Sequence, residues 1–211
     1  MNDKIYRLQK AEVDRQNAEA AALMHAVNEV FYKNNFIEHE YDSDEIFEQS
    51  VIFGENLIIF TPNCLRLNSD KILVERNFVE KQIVMNSVRS GSYTIENQYI
   101  VGYAKIKSGF PHILITPKPL EEKILFIIRN DEHPITKNKK FLRHFNIHQE
   151  QNKPIIKPLP EQLFESLLPF KELHLEINGE YCFYVASVKG ISVKEAERFI
   201  DLTGVVMKYL I

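Results

Sequence analysis

The chain has 211 residues, of which 45% are hydrophobic and 26% charged, and its formal net charge is −3. This composition is typical of a folded domain and excludes wholesale disorder, and a slightly acidic chain lacks the basic surface that general nucleic-acid binding requires. The longest apolar runs, such as Ile124–Ile128, are too short to span a bilayer, and the first residues lack the apolar core of a signal peptide, so we expect a cytoplasmic protein without a transmembrane segment.

Charge is distributed unevenly along the chain. Residues 1–50 carry 5 Lys and Arg against 11 Asp and Glu, whereas the remainder carries 21 and 18. Such an acidic end is typical of a solvated surface, and it would also suit a basic protein partner. The densest run, residues 38–45, lacks the glycine and the later glutamate of a calcium loop, so we expect a solvated connector there.

Residues 3–34 contain neither Gly nor Pro and predict one long helix. A seam at seven-residue spacing runs along it and is apolar apart from two glutamines: Tyr6, Gln9, Val13, Gln16, Ala20, Leu23, Val27 and Val30. Two interpretations stay open. The helix packs along the sheet of its own domain, or it is an arm through which the chain self-associates.

Residues 51–118 alternate short apolar runs with turn residues, which predicts a mostly antiparallel sheet. Tyr93–Ile95 and Tyr99–Ile106 flank the polar triplet 96–98, and this pattern predicts a hairpin that turns at the triplet. A further strand is predicted over His112–Thr116. No Gly-rich phosphate loop follows any of these strands.

The clearest local signal is Asn178-Gly179, which lies between two β-forming runs. A type I′ turn at these two residues would pair Ile177 with Glu180 and Leu175 with Cys182. One face of this hairpin would carry Leu173, Leu175, Ile177, Cys182 and Tyr184, and the other His174, Glu176, Tyr181, Phe183 and Val185.

Three helices are predicted in this half of the chain, over residues 137–145, residues 161–168 and the last twenty residues. Ser192 and Glu195 have the spacing of a capping box and mark the start of the last helix. Its apolar stripe is Ala196, Phe199, Ile200, Thr203, Val206, Met207 and Leu210.

Together these elements predict an α+β fold: a long N-terminal helix, a central mostly antiparallel sheet, and a C-terminal helix–β-hairpin–helix. We expect one domain over residues 1–211. The prolines near 150–160 mark the place where it could divide into residues 1–150 and 160–211.

The order of motifs from Gly109 to Ile211 resembles a known family. It runs Phe110-Pro111-His112-Ile113-Leu114, then Phe141-Leu142-Arg143-His144-Phe145-Asn146-Ile147, then a helix, a hairpin and a closing helix. This cadence is similar to that of a family of uncharacterised bacterial proteins, many of them carried behind transmembrane helices, which this chain lacks. The resemblance implies the fold of this half and no functional residues.

Three histidines are candidates for a site. His144 and His148 are four apart with Glu150 nearby, which on one helix would suit a metal, but Phe145 and Ile147 indicate that the helix ends between them. We therefore predict no metal. His112, at the start of a strand, is either a general base or an ordinary hydrogen-bonded residue. A pocket that collects His112, His144 and His148 with carboxylates would make the protein a small hydrolase or a ligand-binding domain.

A basic cluster of Lys137, Lys139, Lys140 and Arg143 is the other candidate, as a binding site for phosphates or for an acidic protein. The simpler interpretation is a solvated helix face.

The sequence contains no nucleophile motif and no cofactor motif, and its two cysteines, Cys64 and Cys182, form no CxxC pair. We therefore predict a protein without a cofactor that is not an enzyme and that binds another protein, as an adaptor, a chaperone or an immunity-type protein does. The alternative is the histidine and carboxylate pocket described above.

Overall fold

A computed structural model describes residues 2–38, 50, 58–59, 64–67, 72–86, 91–107, 109–110, 112–120, 122, 134–149 and 158–211. Side chains are described in these ranges except at 2–8, 58–59, 64–66, 73, 75–86 and 91–97. Four features named above lie outside the described residues: most of the acidic run 38–45, the apolar run 124–128, Pro154 and the side chain of Cys64.

The helices are α1 (Asn2–Lys33), α2 (Lys139–His144), α3 (Glu161–Leu167) and α4 (Val193–Leu210). The strands are β1 (Phe36–Glu38), β2 (Ile58–Ile59), β3 (Cys64–Leu67), β4 (Ile72–Asn86), β5 (Gly91–Lys105), β6 (Ile113–Pro117), β7 (Phe145–Gln149), β8 (His174–Asn178) and β9 (Tyr181–Val185). The α+β fold class is confirmed, and so are the helices predicted over residues 3–34, 137–145, 161–168 and the last twenty residues.

The described strands pair into one antiparallel sheet in the order β1-β3-β4-β5-β9-β8-β6-β7, with β2 against β4. The C-terminal hairpin β8–β9 lies in the middle of this sheet, because β9 pairs with β5 and β8 pairs with β6. Strands from both sides of the proline-rich segment near 150–160 therefore share one sheet.

The turn of the β8–β9 hairpin differs by one residue from its prediction. Asn178 pairs with Tyr181, and Leu175 pairs with Tyr184, so the two turn residues are Gly179 and Glu180 rather than Asn178 and Gly179. Of these two turn residues, only Gly179 has a positive φ, at 63°. This is the pattern of a type II′ turn with glycine at its first central position. The predicted type I′ register is thus wrong. The two predicted faces of the hairpin are nevertheless correct. In the observed register each residue of β8 pairs with a residue two positions further along β9 than predicted, and residues two apart on a strand lie on the same face.

The hairpin predicted to turn at residues 96–98 is also wrong. β4 and β5 pair continuously from Ile72 opposite Ala104 to Asn86 opposite Gly91, apart from one irregularity between Glu75 and Phe78. The polar triplet lies inside β5, since pairing with β4 overrides its turn propensity.

One face of the sheet packs against α4. Ser192 caps this helix, with its hydroxyl accepting a hydrogen bond from the backbone N–H of Glu195 at 3.1 Å, as the capping box predicts. The buried stripe of α4 includes Leu202, which the prediction omitted, whereas Met207 is exposed. The prediction for Met207 is wrong because it lies at the solvent-facing edge of the helix.

The close contact between sheet and α4 centres on Gly102 of β5. Tyr184 lies directly opposite Gly102, its ring stacks on Phe199 of α4 with centroids 5.3 Å apart, and its hydroxyl lies 3.2 Å from that of Thr203. Since the Thr203 hydroxyl donates to the Phe199 carbonyl, the Tyr184 hydroxyl is the donor in the buried bond to Thr203. The aromatic pair occupies the space that a side chain at 102 would need.

Among the side chains of α1 that the structure describes, those buried in this body lie near the C-terminal end of the helix. Val27 and Phe31 are fully buried, and Phe31 contacts Phe199 with ring centroids 6.1 Å apart. Every residue from 9 to 23 is exposed. The helix therefore packs on its own domain over its last turns, while residues 9–23 form an exposed segment that we call the α1 arm.

We predict that Gly102→Ala destabilises the fold strongly. A Cβ at this position would lie 2.7 Å from Cζ of Phe199 and would also overlap the Tyr184 ring. Overpacking of this kind costs about 1–3 kcal/mol or more, which chemical denaturation monitored by circular dichroism would measure.

The matched control is Gly204→Ala, in the exposed part of α4, where an added Cβ meets no atom within 4 Å. It should stabilise the protein by about 0.5–1 kcal/mol through helix propensity. Equal effects of the two alanines would contradict the role given to Gly102.

Candidate functional site

The structure places two of the three candidate histidines on one face of the sheet. His112 immediately precedes β6, and His148 lies on β7 directly opposite Leu114. His144 is the last residue of α2, at the other end of β7 from His148. The structure therefore does not bring all three predicted histidines together. Among the residues that the structure describes, there is no group of three potential metal ligands.

Glu176 was not predicted as a site residue from the sequence, but it lies in the middle of this face of the sheet. A row of directly opposite residues crosses the sheet there: Tyr103, Phe183, Glu176, Leu114 and His148. Glu176 is fully buried in this row. A buried carboxylate is costly unless it is hydrogen-bonded or paired, so its contacts identify a specific polar cluster.

Two described side chains contact the Glu176 carboxylate. The buried Ser50 hydroxyl donates to Oε2 at 2.6 Å, and Nε2 of His112 lies 3.3 Å from Oε1. The side chain of His112 is 23% exposed, so its imidazole connects the buried carboxylate with the surface. We call these three residues the Glu176 cluster. An imidazole oriented by a carboxylate is a general arrangement for binding a polar ligand or accepting a proton.

The nearby cysteine is chemically inert. Burial raises the pKa of the Cys182 thiol, and the Glu176 carboxylate adds to the increase. Cys182 is a free thiol on a fully buried position of β9. It therefore stays protonated and acts as a small apolar side chain rather than as a nucleophile.

The basic cluster lies elsewhere, on the outer side of α2. Lys137, Lys139, Lys140 and Arg143 are exposed, while Phe141 and Leu142 between them are buried. The local structure is set by Asn138, whose side chain accepts from the backbone N–H of Phe141 at 3.0 Å. The cluster is thus the solvent-facing side of a short helix and is separate from the Glu176 cluster.

A groove lies where α1 leaves the body of the protein. It has a volume of about 540 Å³. Its walls come from α1, β5 and the loop between β9 and α4, and the lining residues are Ala20, Leu23, Met24, Gln98, Val188, Lys189, Gly190 and Ile191. No local pattern predicts this α1 groove, because its three walls are far apart along the chain.

The loop that forms one wall of the α1 groove is held by Glu172. This carboxylate pairs with Lys189 and accepts from the Ser187 hydroxyl at 2.7 Å, and that hydroxyl accepts from the Lys189 backbone N–H at 3.2 Å. Burial alone would raise the pKa of Glu172, but these hydrogen bonds from Lys189 and Ser187 lower it overall. These contacts therefore fix the conformation of the loop between β9 and α4 that forms this wall.

Comparisons with known proteins give no relative for this chain: no family model, no curated protein and no solved structure matches it. Over the part of the chain that the structure describes, no helix is long and apolar enough to cross a membrane.

We predict that Ser50→Ala destabilises the protein by about 1.5–3 kcal/mol, because it removes a hydrogen bond to a buried carboxylate. Urea denaturation at neutral pH would measure the loss.

Ser166→Ala is the control, since the Ser166 hydroxyl bonds the neutral Tyr209 hydroxyl at 3.2 Å in a half-buried position. Its expected cost is about 0.5–1 kcal/mol. A smaller effect at position 50 than at 166 would argue against an energetically important Glu176 cluster.

Proposed function

We propose that the protein is a non-enzymatic interaction module that holds a partner protein against the α1 arm and the α1 groove. The observation that carries this proposal is the exposure of residues 9–23 on a helix of 32 residues. A partner would give this arm the packing that its own domain does not provide.

The energetics of the arm support a binding role. Helices of about 15 residues are marginal in water unless they pack against something. Within the arm, Arg15 bonds Glu12 at 2.6 Å and Glu19 at 2.8 Å, and fully exposed pairs of this type stabilise a helix only slightly. The arm is therefore helical with little stabilisation of its own, a state that favours a bound partner.

The apolar residues of the arm indicate what the partner contacts. Val13 is 52% exposed and Leu23 is 39% exposed. Both lie, with Ala20, on the same side of α1 as the buried Val27 and Phe31, since they follow helical spacing. The stripe that packs against the body thus continues outward as an exposed stripe on the described part of the arm. We propose that the partner contributes an apolar surface, and adaptor, chaperone and immunity-type proteins all work through such contacts.

We predict that Leu23→Glu weakens partner binding roughly tenfold or more, because it places a charge in the α1 groove. The measurement is an affinity pull-down of the tagged full chain from its native extract with quantitative mass spectrometry, followed by titration of the captured protein.

Ala22→Glu provides the matched control, because Ala22 is exposed one residue away on the opposite side of α1. Binding should survive this change. A partner lost equally with both substitutions, or retained with both, would speak against the α1 groove as the binding surface.

A second candidate function is supported by the contact between His112 and Glu176. A partly exposed imidazole held by a buried carboxylate suits a ligand-binding domain that recognises a small polar molecule. This candidate keeps His112 of the predicted histidine pocket, with Glu176 and Ser50 as its neighbours in place of His144 and His148.

We predict for this candidate that a small-molecule ligand found by thermal-shift screening loses its stabilising effect in His112→Gln. His148→Gln is the control, since His148 lies exposed on the same face. Ligands that stabilise the His112 variant as well as the native chain would rule out this site.

A further inference from the structure

We infer that the basic cluster on α2 is a second interaction surface and that its partner is an acidic peptide segment of another protein. The cluster lies on a different element from the α1 arm and the α1 groove. The inference therefore goes beyond the proposed function and does not depend on it. It is carried by the charges of α2, by the contacts that fix this helix and by the hydrogen bonds of its first residues.

The basic cluster concentrates positive charge in a chain whose formal net charge is −3. Four of the seven residues from 137 to 143 are Lys or Arg, and none is Asp or Glu. Exposed cations elsewhere can have carboxylate partners within the chain, as Arg15 has in Glu12. In the part of the chain that the structure describes, no carboxylate forms an ion pair with Lys140 or Arg143. Their charge complements carboxylates from outside the chain.

The arrangement of these charges weakens α2. Arg143 is four residues from Lys139 and three from Lys140, so like charges are neighbours on one helix face. The first turn carries two lysines and no acidic residue, although the helix dipole favours acidic side chains there. Carboxylates from a partner would relieve this repulsion. An arrangement that costs stability without a gain in the fold is expected at a functional surface.

The buried side of α2 holds the basic cluster in a fixed position. Phe141 is fully buried, and its ring packs against those of Phe145 and Phe164 with centroids 4.5 and 5.1 Å apart. Asn138 caps the helix through its bond to the backbone N–H of Phe141. A partner does not have to order this helix when it binds, which lowers the conformational cost of binding.

The start of α2 is unsuited to a single compact anion such as phosphate. Phosphate sites use backbone N–H groups. Four of the N–H groups near this end already donate within the protein, those of Lys137, Asn138, Phe141 and Leu142. The acceptor for Lys137 is the carboxylate of Glu161, whose negative charge would repel a phosphate there. The basic cluster therefore acts through its side chains, which suits a partner with several carboxylates along its length.

The size and shape of the basic cluster favour a peptide over a nucleic acid or a membrane. A helix of six residues is about 9 Å long, which matches about three residues of an extended peptide. Nucleic acids and membranes present negative charge over much larger areas, and they would also repel the excess of Asp and Glu in residues 1–50. Phe141 and Phe145 are fully buried, so neither ring offers a stacking surface for bases.

The test uses the purified full chain and a fluorescent peptide of about ten glutamates, with binding measured by fluorescence anisotropy at about 150 mM salt. We expect saturable binding that weakens as the salt concentration rises, because the contacts are between charges. The double variant Lys140→Gln with Arg143→Gln should bind the peptide at least roughly tenfold more weakly. Its stability against urea should equal or exceed that of the native chain, because the change removes repulsion on α2.

The matched control is the double variant Lys107→Gln with Lys194→Gln, which removes the same charge from two exposed lysines outside α2. It should bind the peptide like the native chain. Leu23→Glu should also leave this binding unchanged, so failure of the basic cluster and failure of the α1 groove can be told apart. Absence of peptide binding by the native chain, or equal loss in both double variants, would overturn the inference.

Lysine acetylation followed by mass spectrometry locates the contact. The bound peptide should protect Lys139 and Lys140 from an acetylating reagent and leave Lys194 as reactive as in the free chain. Equal protection of all three lysines would contradict a defined surface. Tighter binding of duplex DNA, or of vesicles that contain phosphatidylserine, than of the glutamate peptide would assign the basic cluster to a different class of partner and overturn the inference.

Discussion

The structure depends on the fit of Tyr184 into the space above Gly102. Because residue 102 has no side chain, the tyrosine ring lies flat between β5 and α4, stacks on Phe199 and donates to Thr203. This one contact joins the C-terminal hairpin, the long β5 strand and the last helix. Phe199 in turn contacts Phe31, so the same aromatic group anchors the end of α1. The position of the α1 groove follows from that anchor.

The opposite face of the sheet has a different character. There the central hairpin presents Glu176 between Phe183 and Leu114, with Ser50 and His112 among its contacts. Buried polar clusters of this kind cost stability unless each group is bonded, and they are retained where they define a conformation or a site. The protein thus carries an aromatic anchor on one face and a polar cluster on the other, and both are attached to the same hairpin, with Tyr184 on β9 and Glu176 on β8.

Local sequence patterns predicted the positions of helices and strands better than they predicted which strands pair and which side chains pack. The Asn178-Gly179 pair located the hairpin and its faces, and Ser192 located the start of α4, because both signals act within a few residues. A turn was wrongly predicted at residues 96–98, and the strand β7 and the burial of Leu202 were missed, since all three depend on pairing or packing with distant segments. Glu176 alternates with apolar neighbours like any surface strand residue. Its long-range contacts, which include those with Ser50 and His112, distinguish it from such a residue.

The central place of the β8–β9 hairpin has a consequence for how the chain folds. β5 and β6 are close in sequence, from Lys105 to Ile113, yet the hairpin that joins them in the sheet begins roughly sixty residues later. Loop closure over that separation must precede completion of the sheet, which slows folding relative to proteins with local contacts. During synthesis the facing edges of β5 and β6 have no strand to pair with until this hairpin is made, and in that interval they are open to pairing with other chains.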